Sequence, residues 1–298
     1  MICKKTISRS AFRGTRIMLI GVLCWCATIM AVNAVDVILT KTQRFSGKVR
    51  SANSKSVTIV IPGQGVIAVP RSKIEKMKVE APAAIIRGID AYEKGNYKVA
   101  QLTLSKAAYQ FVGLDTSWAA KALVYYARVC LMNGDNAKAE KAFSDFLAAY
   151  DDDPMCVDAE LGIAETQLAK KDIDKAFAKF QELASEYEKV LRPPKEQFPY
   201  AAEAFLGVGK CLEAKDDPKG AINAYLKVIA LYPADNALPE TLYRAALLYK
   251  TQNNLNYADM FLSDLITQYP ADPYAKKAID LKKQIKPLLA EQKAEAKP

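Results

Sequence analysis

The sequence contains no histidine among its 298 residues. Histidine is the side chain that most often acts as a general base near neutral pH, and it is the commonest metal ligand. Its absence therefore excludes many hydrolase and metalloenzyme arrangements. Glycine-rich phosphate-binding loops and paired-cysteine metal motifs are also missing. We predict that the protein is not an enzyme and has no catalytic residue, no metal site and no cofactor.

Cysteine is scarce as well. After residue 34 the chain has three cysteines, Cys130, Cys156 and Cys211. An odd number excludes a complete disulfide framework. We therefore expect unpaired thiols that pack in the interior as small apolar side chains.

A repeated spacing of small residues is the strongest positive signal in the sequence. One alanine, which we call the register residue, recurs at intervals of 39, 37, 45 and 37 residues. Gly or Ala stands twelve residues before it, and apolar side chains stand four and seven residues after it. Residues at these offsets share one face of a helix, so that face is predicted to be buried. The five register residues are Ala100, Ala139, Ala176, Ala221 and Ala258.

Turn-forming Asn, Asp and Gly residues cluster just before each register residue. The combined pattern resembles the tetratricopeptide repeat (TPR), a helix–turn–helix unit with a usual period of about 34 residues. The resemblance implies a mainly α fold, a TPR α-solenoid of about five units over residues 81–271. Residues 272–298 are expected to form a capping helix and then a disordered tail past about Ala290.

Proline marks several boundaries of the predicted helices. Asp-Pro pairs at 153–154, 217–218 and 272–273 predict N-cap carboxylates followed by proline at the first helical position. The longest interval contains RPPKEQFP at 192–199. We interpret this segment as a bend that loosens or tilts the fourth and fifth units against the first three.

Residues 1–34 resemble a secretory signal peptide. Five basic residues and no acidic residue accompany an apolar run at 17–32, and Val32-Asn33-Ala34 fits a peptidase site. The run is shorter than the roughly 20 residues that typically span a bilayer. We expect an exported, periplasmic protein, and the alternative is an uncleaved anchor in the inner membrane.

Residues 35–80 differ from the rest in composition. Three segments rich in β-branched residues, 45–50, 56–61 and 66–69, are separated by Gly/Ser/Asn turns, and edge strands are expected at 37–40 and 74–79. The prediction is a small β-barrel-like module ahead of the solenoid. Its xGKV, VTI and GVIAVPRSKI segments resemble small SH3-like or Sm-like modules found before repeat domains in envelope proteins.

This β-module carries most of the excess positive charge. It contains nine basic and three acidic residues, whereas residues 81–298 contain 28 basic and 30 acidic residues. One interpretation is a docking surface for an anionic lipid, a glycan or an acidic protein. The alternative is that Lys and Arg only discourage edge-to-edge pairing of strands. A single aromatic residue, Phe45, provides no stacking platform, so no nucleic-acid partner is expected.

In TPR proteins the first helix of each unit lines a concave groove, which accepts extended peptides or helices. Counting back from the register residues gives apolar positions on this surface at Ile89, Val124, Leu161 and Leu206. The residues that we expect to contact a partner are Tyr92, Lys121, Arg128, Glu165, Lys210, Tyr243, Leu247 and Lys250.

Two stretches, 139–187 and 231–278, share helix ends in which two large apolar residues three apart precede a Tyr by four, followed by Pro at Tyr269-Pro270, and a D/N-x-A helix start. They resemble the TPR region of the periplasmic Tol–Pal-associated cell-division coordinator family and of related outer-membrane assembly lipoproteins. The resemblance implies an exported, non-enzymatic scaffold that binds protein or peptide partners in the bacterial cell envelope. The alternative is a membrane-associated structural component held by an uncleaved N-terminal anchor or by the basic β-module.

Overall fold

A computed structural model describes residues 35–190 and 193–295. The predicted signal peptide, residues 1–34, lies outside the described residues. From Val35 onward the chain forms one compact unit. Within the described residues, no helix is both long enough and apolar enough to cross a membrane.

The β-module is a five-stranded antiparallel sheet in the spatial order β4-β3-β2-β1-β5. A 3-10 turn connects β4 to β5. The predicted small β-module ahead of the solenoid is confirmed, while its assignment as SH3-like or Sm-like stays a prediction. The strands are β1 (Asp36–Thr40), β2 (Arg44–Ala52), β3 (Ser56–Ile61), β4 (Gly65–Pro70) and β5 (Ile74–Lys78).

Eleven helices follow among the described residues, and the predicted solenoid is confirmed. Consecutive helices pack in pairs, so that α1 to α10 form five two-helix units and α11 packs on the last. The helices are α1 (Ala83–Glu93), α2 (Tyr97–Gln110), α3 (Ser117–Met132), α4 (Asn136–Ala149), α5 (Cys156–Ala169), α6 (Ile173–Glu188), α7 (Phe198–Ala214), α8 (Pro218–Leu231), α9 (Leu238–Thr251), α10 (Leu255–Gln268) and α11 (Pro273–Glu295).

The register residues lie in the interior of each two-helix unit. All five are completely buried, and so are the large side chains four residues later, to within 1%. In the fourth unit, a Cβ atom added to Gly209 would lie 2.1 Å from the ring of Tyr225. The small residue twelve positions before the register residue is thus needed to admit the large side chain of the partner helix.

The turn between the two helices has the same backbone form in all five units. The residue five positions before the register residue has a φ between 59° and 78°, in the left-handed region that glycine favours. The next amide donates back to a carbonyl five residues earlier, as Asn96 N does to Ala91 O at 2.8 Å, which closes a Schellman motif. The five left-handed residues are Gly95, Gly134, Lys171, Asp216 and Asn253.

The β-module packs through one face on the first two units. Its buried residues, including Ile38, Val57 and Ile59, form a single apolar cluster with Phe111 and Leu114 from the α2–α3 connection. At the end of the module, the indole Nε1 of Trp118 donates a hydrogen bond to the carbonyl oxygen of Val79 at 3.2 Å. On the other face of β1, Val37 and Leu39 belong to none of the apolar clusters formed by the described residues.

Several sequence expectations differ from the structure. Asp153-Pro154 does not start a helix, because α5 begins at Cys156 and the Asp153 carboxylate instead accepts from Met155 N at 2.8 Å. The proline-rich segment does not loosen the packing of the fourth and fifth units, since one apolar cluster continues from α5 to α11, while their tilt against the first three units stays a prediction. Helix α11 extends to Glu295, past the predicted start of a disordered tail at Ala290.

The three cysteines lie in α3, α5 and α7. Cys130 and Cys211 are completely buried, and Cys156 is half-buried. Burial raises the pKa of the Cys211 thiol to about 11. Cys130 and Cys211 therefore pack in the interior, as the sequence predicts, whereas the Cys156 thiol donates a hydrogen bond to the carbonyl oxygen of Tyr150 at 3.0 Å.

Candidate functional site: the inner surface of the solenoid

The first helices of the five units, α1, α3, α5, α7 and α9, form a layer that we call the inner surface. Helix α3 contacts both α1 and α5, and α5 contacts α7. All eight residues predicted to bind a partner are half-buried on these helices. The structure groups them into three clusters along the solenoid.

The cluster at the N-terminal end is aromatic. Tyr92 stacks on Tyr125 with ring centroids 4.1 Å apart, and the Lys121 ammonium lies 5.1 Å from the centre of the Tyr125 ring. Lys121 also forms an ion pair with Glu93, and this hydrogen bond raises the pKa of the lysine. This cluster presents two adjacent ring faces and a partly neutralised cation.

The central cluster is an ion network built around Arg128. Its guanidinium donates to Asp158 through Nε at 2.9 Å. It also lies 3.5 Å from a carboxylate oxygen of Glu203 and 3.8 Å from one of Glu165. Burial alone would lower the pKa of Arg128, but the carboxylates outweigh it and raise the pKa. Arg128 therefore joins α3, α5 and α7, the first helices of three consecutive units.

A second part of the central network joins α7 to α9. Lys210 lies 3.3 Å from Glu240, which also accepts from Arg244 at 2.7 Å. Arg244 in turn reaches Glu213 at 3.0 Å. Burial acts to raise the pKa of Glu240, but Lys210 and Arg244 outweigh that effect and lower it.

Negative charge exceeds positive charge in this central network. Three cations face five carboxylates: Asp158, Glu165, Glu203, Glu213 and Glu240. A small cavity of about 90 Å³ between α5, α7 and α9 is lined by Glu165, Glu203, Lys210 and Glu240. Burial raises the pKa of Glu165, because Arg128 and Lys210 compensate its charge only in part. The centre of the inner surface is therefore short of positive charge.

The C-terminal cluster lies between α9 and α11. The rings of Tyr243 and Tyr274 are 5.6 Å apart, and Lys250 Nζ donates to Gln284 Oε1 at 3.1 Å. Leu247 is half-buried against the main apolar cluster. Helix α11 thus extends the inner surface by one more helix beyond the five units.

Sequence reasoning missed several residues of this surface. Lys121 precedes its register residue by eighteen positions, and the same offset gives Asp158, Glu203 and Glu240 in the next three units. A full application of that offset would have found the three carboxylates. Of the four apolar positions expected on this surface, three are instead buried in the apolar core: Val124, Leu161 and Leu206.

No group of three or more side chains able to hold a metal ion occurs in the parts of the chain described by the structure. The chemistry available on the inner surface is stacking, ion pairing and hydrogen bonding. The arrangement defines a class of protein: a helical-repeat solenoid whose first helices present a mixed aromatic and charged surface.

Comparison with protein families identifies the repeat. One tetratricopeptide-repeat family model matches residues 87–154 and 133–190, and a second matches residues 203–235 and 240–272. The chain is a tetratricopeptide-repeat protein. The matched models are repeat models, and no enzyme family was found. No curated protein matches the chain in sequence.

Solved structures show the same fold. A thermophilic TPR protein of Thermus thermophilus aligns with a TM-score of 0.50 at 19% identity, over 66% of this chain and 96% of its own. The apo form of RapI aligns with a TM-score of 0.50 at 12% identity, over 66% of this chain and 70% of its own. The Cut9-Hcn1 hetero-tetramer of the APC/C aligns with a TM-score of 0.50 at 19% identity, over 68% of this chain and 35% of that chain. At these identities the similarity is one of fold.

Proposed function

We propose that the protein is a non-enzymatic scaffold whose inner surface binds a segment of a partner protein. The observation that carries the proposal is the continuity of that surface. The first helices of five units and α11 place half-buried aromatic and charged side chains side by side. TPR repeats in general bind peptides or proteins, and such grooves suit an extended peptide or a helix.

The charge of the inner surface narrows the chemistry of the partner. Five carboxylates against three cations favour a segment with Lys or Arg near its middle. Aromatic pairs at the two ends, Tyr92 with Tyr125 and Tyr243 with Tyr274, favour apolar or planar side chains there. The expected ligand is a segment with a basic centre and apolar flanks.

Selection of random phage-displayed peptides on residues 35–298 tests this proposal. We expect enrichment of Lys or Arg in the selected peptides and an affinity that falls with added salt. Replacing both Tyr92 and Tyr243 by alanine should weaken binding about 30-fold, the effect of losing one interface hot spot. Fluorescence anisotropy with a labelled peptide gives the dissociation constants.

The matched control removes exposed side chains from second helices. Tyr257 is 50% exposed and Leu102 is 80% exposed, so the double alanine variant should bind as the wild type does. If the two double variants bind the selected peptides equally well, the peptides bind elsewhere and the proposal for the inner surface fails.

We further propose that the protein is exported and acts in the bacterial cell envelope. This proposal rests on residues 1–34, with five basic residues before an uncharged apolar run. It also rests on the resemblance to the Tol–Pal-associated coordinator family and the outer-membrane assembly lipoproteins. A C-terminal β-lactamase fusion to the full chain should confer ampicillin resistance, because the enzyme protects cells only after export. Sensitive cells that contain intact fusion protein would contradict export.

The second candidate is a structural component retained at the membrane by its N-terminal segment. It is favoured by the uncharged run of 16 residues at 17–32, which is close to the length of a span. N-terminal sequencing after fractionation separates the candidates. A mature chain that begins at Val35 indicates a cleaved signal. A chain that begins at Met1 and resists a high-salt wash of the membranes indicates an anchor.

A further inference from the structure

The β-module has a face that its own core does not use. Along β1, Ile38 is completely buried, whereas its neighbours Val37 and Leu39 are half-buried on the other side of the strand. Lys78 lies opposite Val37 in β5, and Leu39 is flanked by Lys76 on one side and by Arg44 on the other. Opposed residues of antiparallel strands share one face. We call these residues the outer patch: Val37, Leu39, Arg44, Lys76 and Lys78.

The outer patch is a shallow groove with an apolar floor and basic walls. The five residues and Met77 line a cavity of about 280 Å³. No carboxylate is among the lining residues. The three cations are all exposed, while the valine and leucine between them are half-buried. Such a groove accepts a ligand that carries both a negative charge and an apolar part.

The positive charge of the outer patch is not used within the fold. Across residues 35–190 and 193–295, Arg44, Lys76 and Lys78 have no acidic partner within 4 Å. The two strands that form the patch floor and one wall carry two carboxylates, Glu75 and Asp36. Glu75 is exposed and forms no ion pair with these cations among the described residues. Asp36 is buried, lies 3.6 Å from Lys48 Nζ, and accepts from the backbone amides of Val49 at 2.7 Å and Glu80 at 3.0 Å. Because these inward contacts satisfy Asp36, the outer cations remain available to a partner.

The position of the patch in the chain points to a membrane. β1 begins four residues after the apolar run 17–32 ends. Four extended residues span at most about 14 Å, so a run held in a bilayer keeps the outer patch close to the lipid headgroups. Within this reach the cations can approach the headgroups to less than the Debye length of about 8 Å at physiological salt, where electrostatic attraction is not largely screened.

We propose that the outer patch binds anionic phospholipid at a membrane surface. The phosphate groups pair with Arg44, Lys76 and Lys78, and the glycerol and upper acyl carbons cover Val37 and Leu39. A soluble polyanion would use the cations alone and leave the apolar floor in water. The inference deepens the membrane-associated candidate for function and is independent of what the inner surface binds.

Co-sedimentation with vesicles tests the proposal on residues 35–298, which form a compact unit without the N-terminal segment. Vesicles of equal parts phosphatidylcholine and phosphatidylglycerol should bind the protein, and pure phosphatidylcholine vesicles should not. Changing Arg44, Lys76 and Lys78 together to glutamine should lower the partition coefficient about 100-fold, because each basic residue near an anionic leaflet contributes roughly a factor of five.

The matched control removes three exposed lysines from the solenoid: Lys98→Gln, Lys106→Gln and Lys219→Gln. This variant has the same net charge as the outer-patch variant and should keep nearly all of the binding. Circular dichroism checks that both variants fold. Excess soluble glycerol phosphate should not displace the wild-type protein, whereas sodium chloride should.

The possible results separate the proposal from its competitors. An equal loss in both triple variants would show that net charge, and not the outer patch, drives binding. Displacement by glycerol phosphate would show that the outer patch binds a soluble phosphate group and does not require the bilayer. Wild-type protein that fails to bind the mixed vesicles overturns the inference. That failure leaves the anchor proposal intact, because the anchor lies in residues 1–34.

Discussion

The inner surface of the solenoid and the outer patch of the β-module both contain basic side chains, but they use them in opposite ways. Arg128 is 18% exposed and faces three carboxylates from two other helices. Arg44, Lys76 and Lys78 are exposed and face apolar side chains and solvent. The contrast teaches that a count of charges does not show which of them are free. The charges of the inner surface first hold units together, and those of the outer patch are available to a partner.

Replacing Arg128 should break the inner network and give the largest effect. Arg128→Met leaves the carboxylates of Asp158 and Glu203 without their cation in a largely desolvated place. Removing one partner of a buried ion pair costs about 3–5 kcal/mol. Urea unfolding of residues 35–298 measures the loss. The control is Lys94→Met, which removes an exposed pair with Asp90 and should change stability by less than about 0.5 kcal/mol. Similar small losses in both variants would contradict the structural role of Arg128.

Glu165 should make the same region sensitive to pH, with a smaller effect than the loss of Arg128. Burial raises its pKa above the ordinary value of 4.5, and Arg128, Glu203, Lys210 and Glu240 are the charged groups around it. The folded state therefore holds a proton that the unfolded state has released, and this stabilisation is lost as pH rises above 4.5. Glu165→Gln should equal the wild type below pH 4.5 and be more stable at neutral pH. Parallel stability curves for the two proteins would contradict this expectation.

Lys171 lies outside the inner network, and we expect its backbone conformation to affect the stability of the fold more than its charge does. Its φ of 65° is unfavourable for a residue with a side chain, and the equivalent residues of the first two units are Gly95 and Gly134. Lys171→Gly should stabilise the protein by about 1 kcal/mol, after the entropic cost of glycine in the unfolded chain is subtracted. Thermal unfolding measures the gain. Lys171→Gln keeps the strained backbone and should leave the melting temperature unchanged; an equal gain from it would assign the effect to charge.

The outer patch should give the smallest effect on stability. Arg44, Lys76 and Lys78 make no ion pair among residues 35–190 and 193–295, so their joint change to glutamine should alter the free energy of unfolding by less than about 0.5 kcal/mol. The same variant is expected to lose most of its binding to anionic vesicles. A large loss of stability would mean that these cations support the fold, and the contrast with Arg128 would disappear.

Much of the fold was predictable because it follows from short-range patterns. The register residue and the residues four and seven positions after it lie on one face of a helix. These two offsets were therefore enough to identify the buried face. Gly95 and Gly134 indicated a left-handed turn residue from sequence alone, because glycine favours a positive φ. Lys171 has the same backbone conformation, but lysine does not indicate it. The start of α5 was misplaced because Asp153 caps a turn rather than a helix.

The pairing within the inner network was not predictable, because its ion pairs join different repeat units. Arg128 lies 30 residues from Asp158 and 75 residues from Glu203 in the chain. An offset of eighteen residues before the register residue places Asp158, Glu203 and Glu240 on the first helices, but which cation each carboxylate meets depends on how the units stack. The apolar floor of the outer patch was also missed, because it depends on which residues of neighbouring strands lie opposite each other.

The sequence by itself determined the repeat class, the number of units and the strands of the β-module, because each depends on hydrophobic periodicity and turn chemistry over fewer than twenty residues. Tertiary structure alone decided which charges are paired and which are free. Ion pairing depends on distances of a few ångströms between helices far apart in the chain, and burial sets its strength. In this protein, the tertiary structure shows that Arg128 holds three units together, whereas Arg44, Lys76 and Lys78 face outward on the β-module.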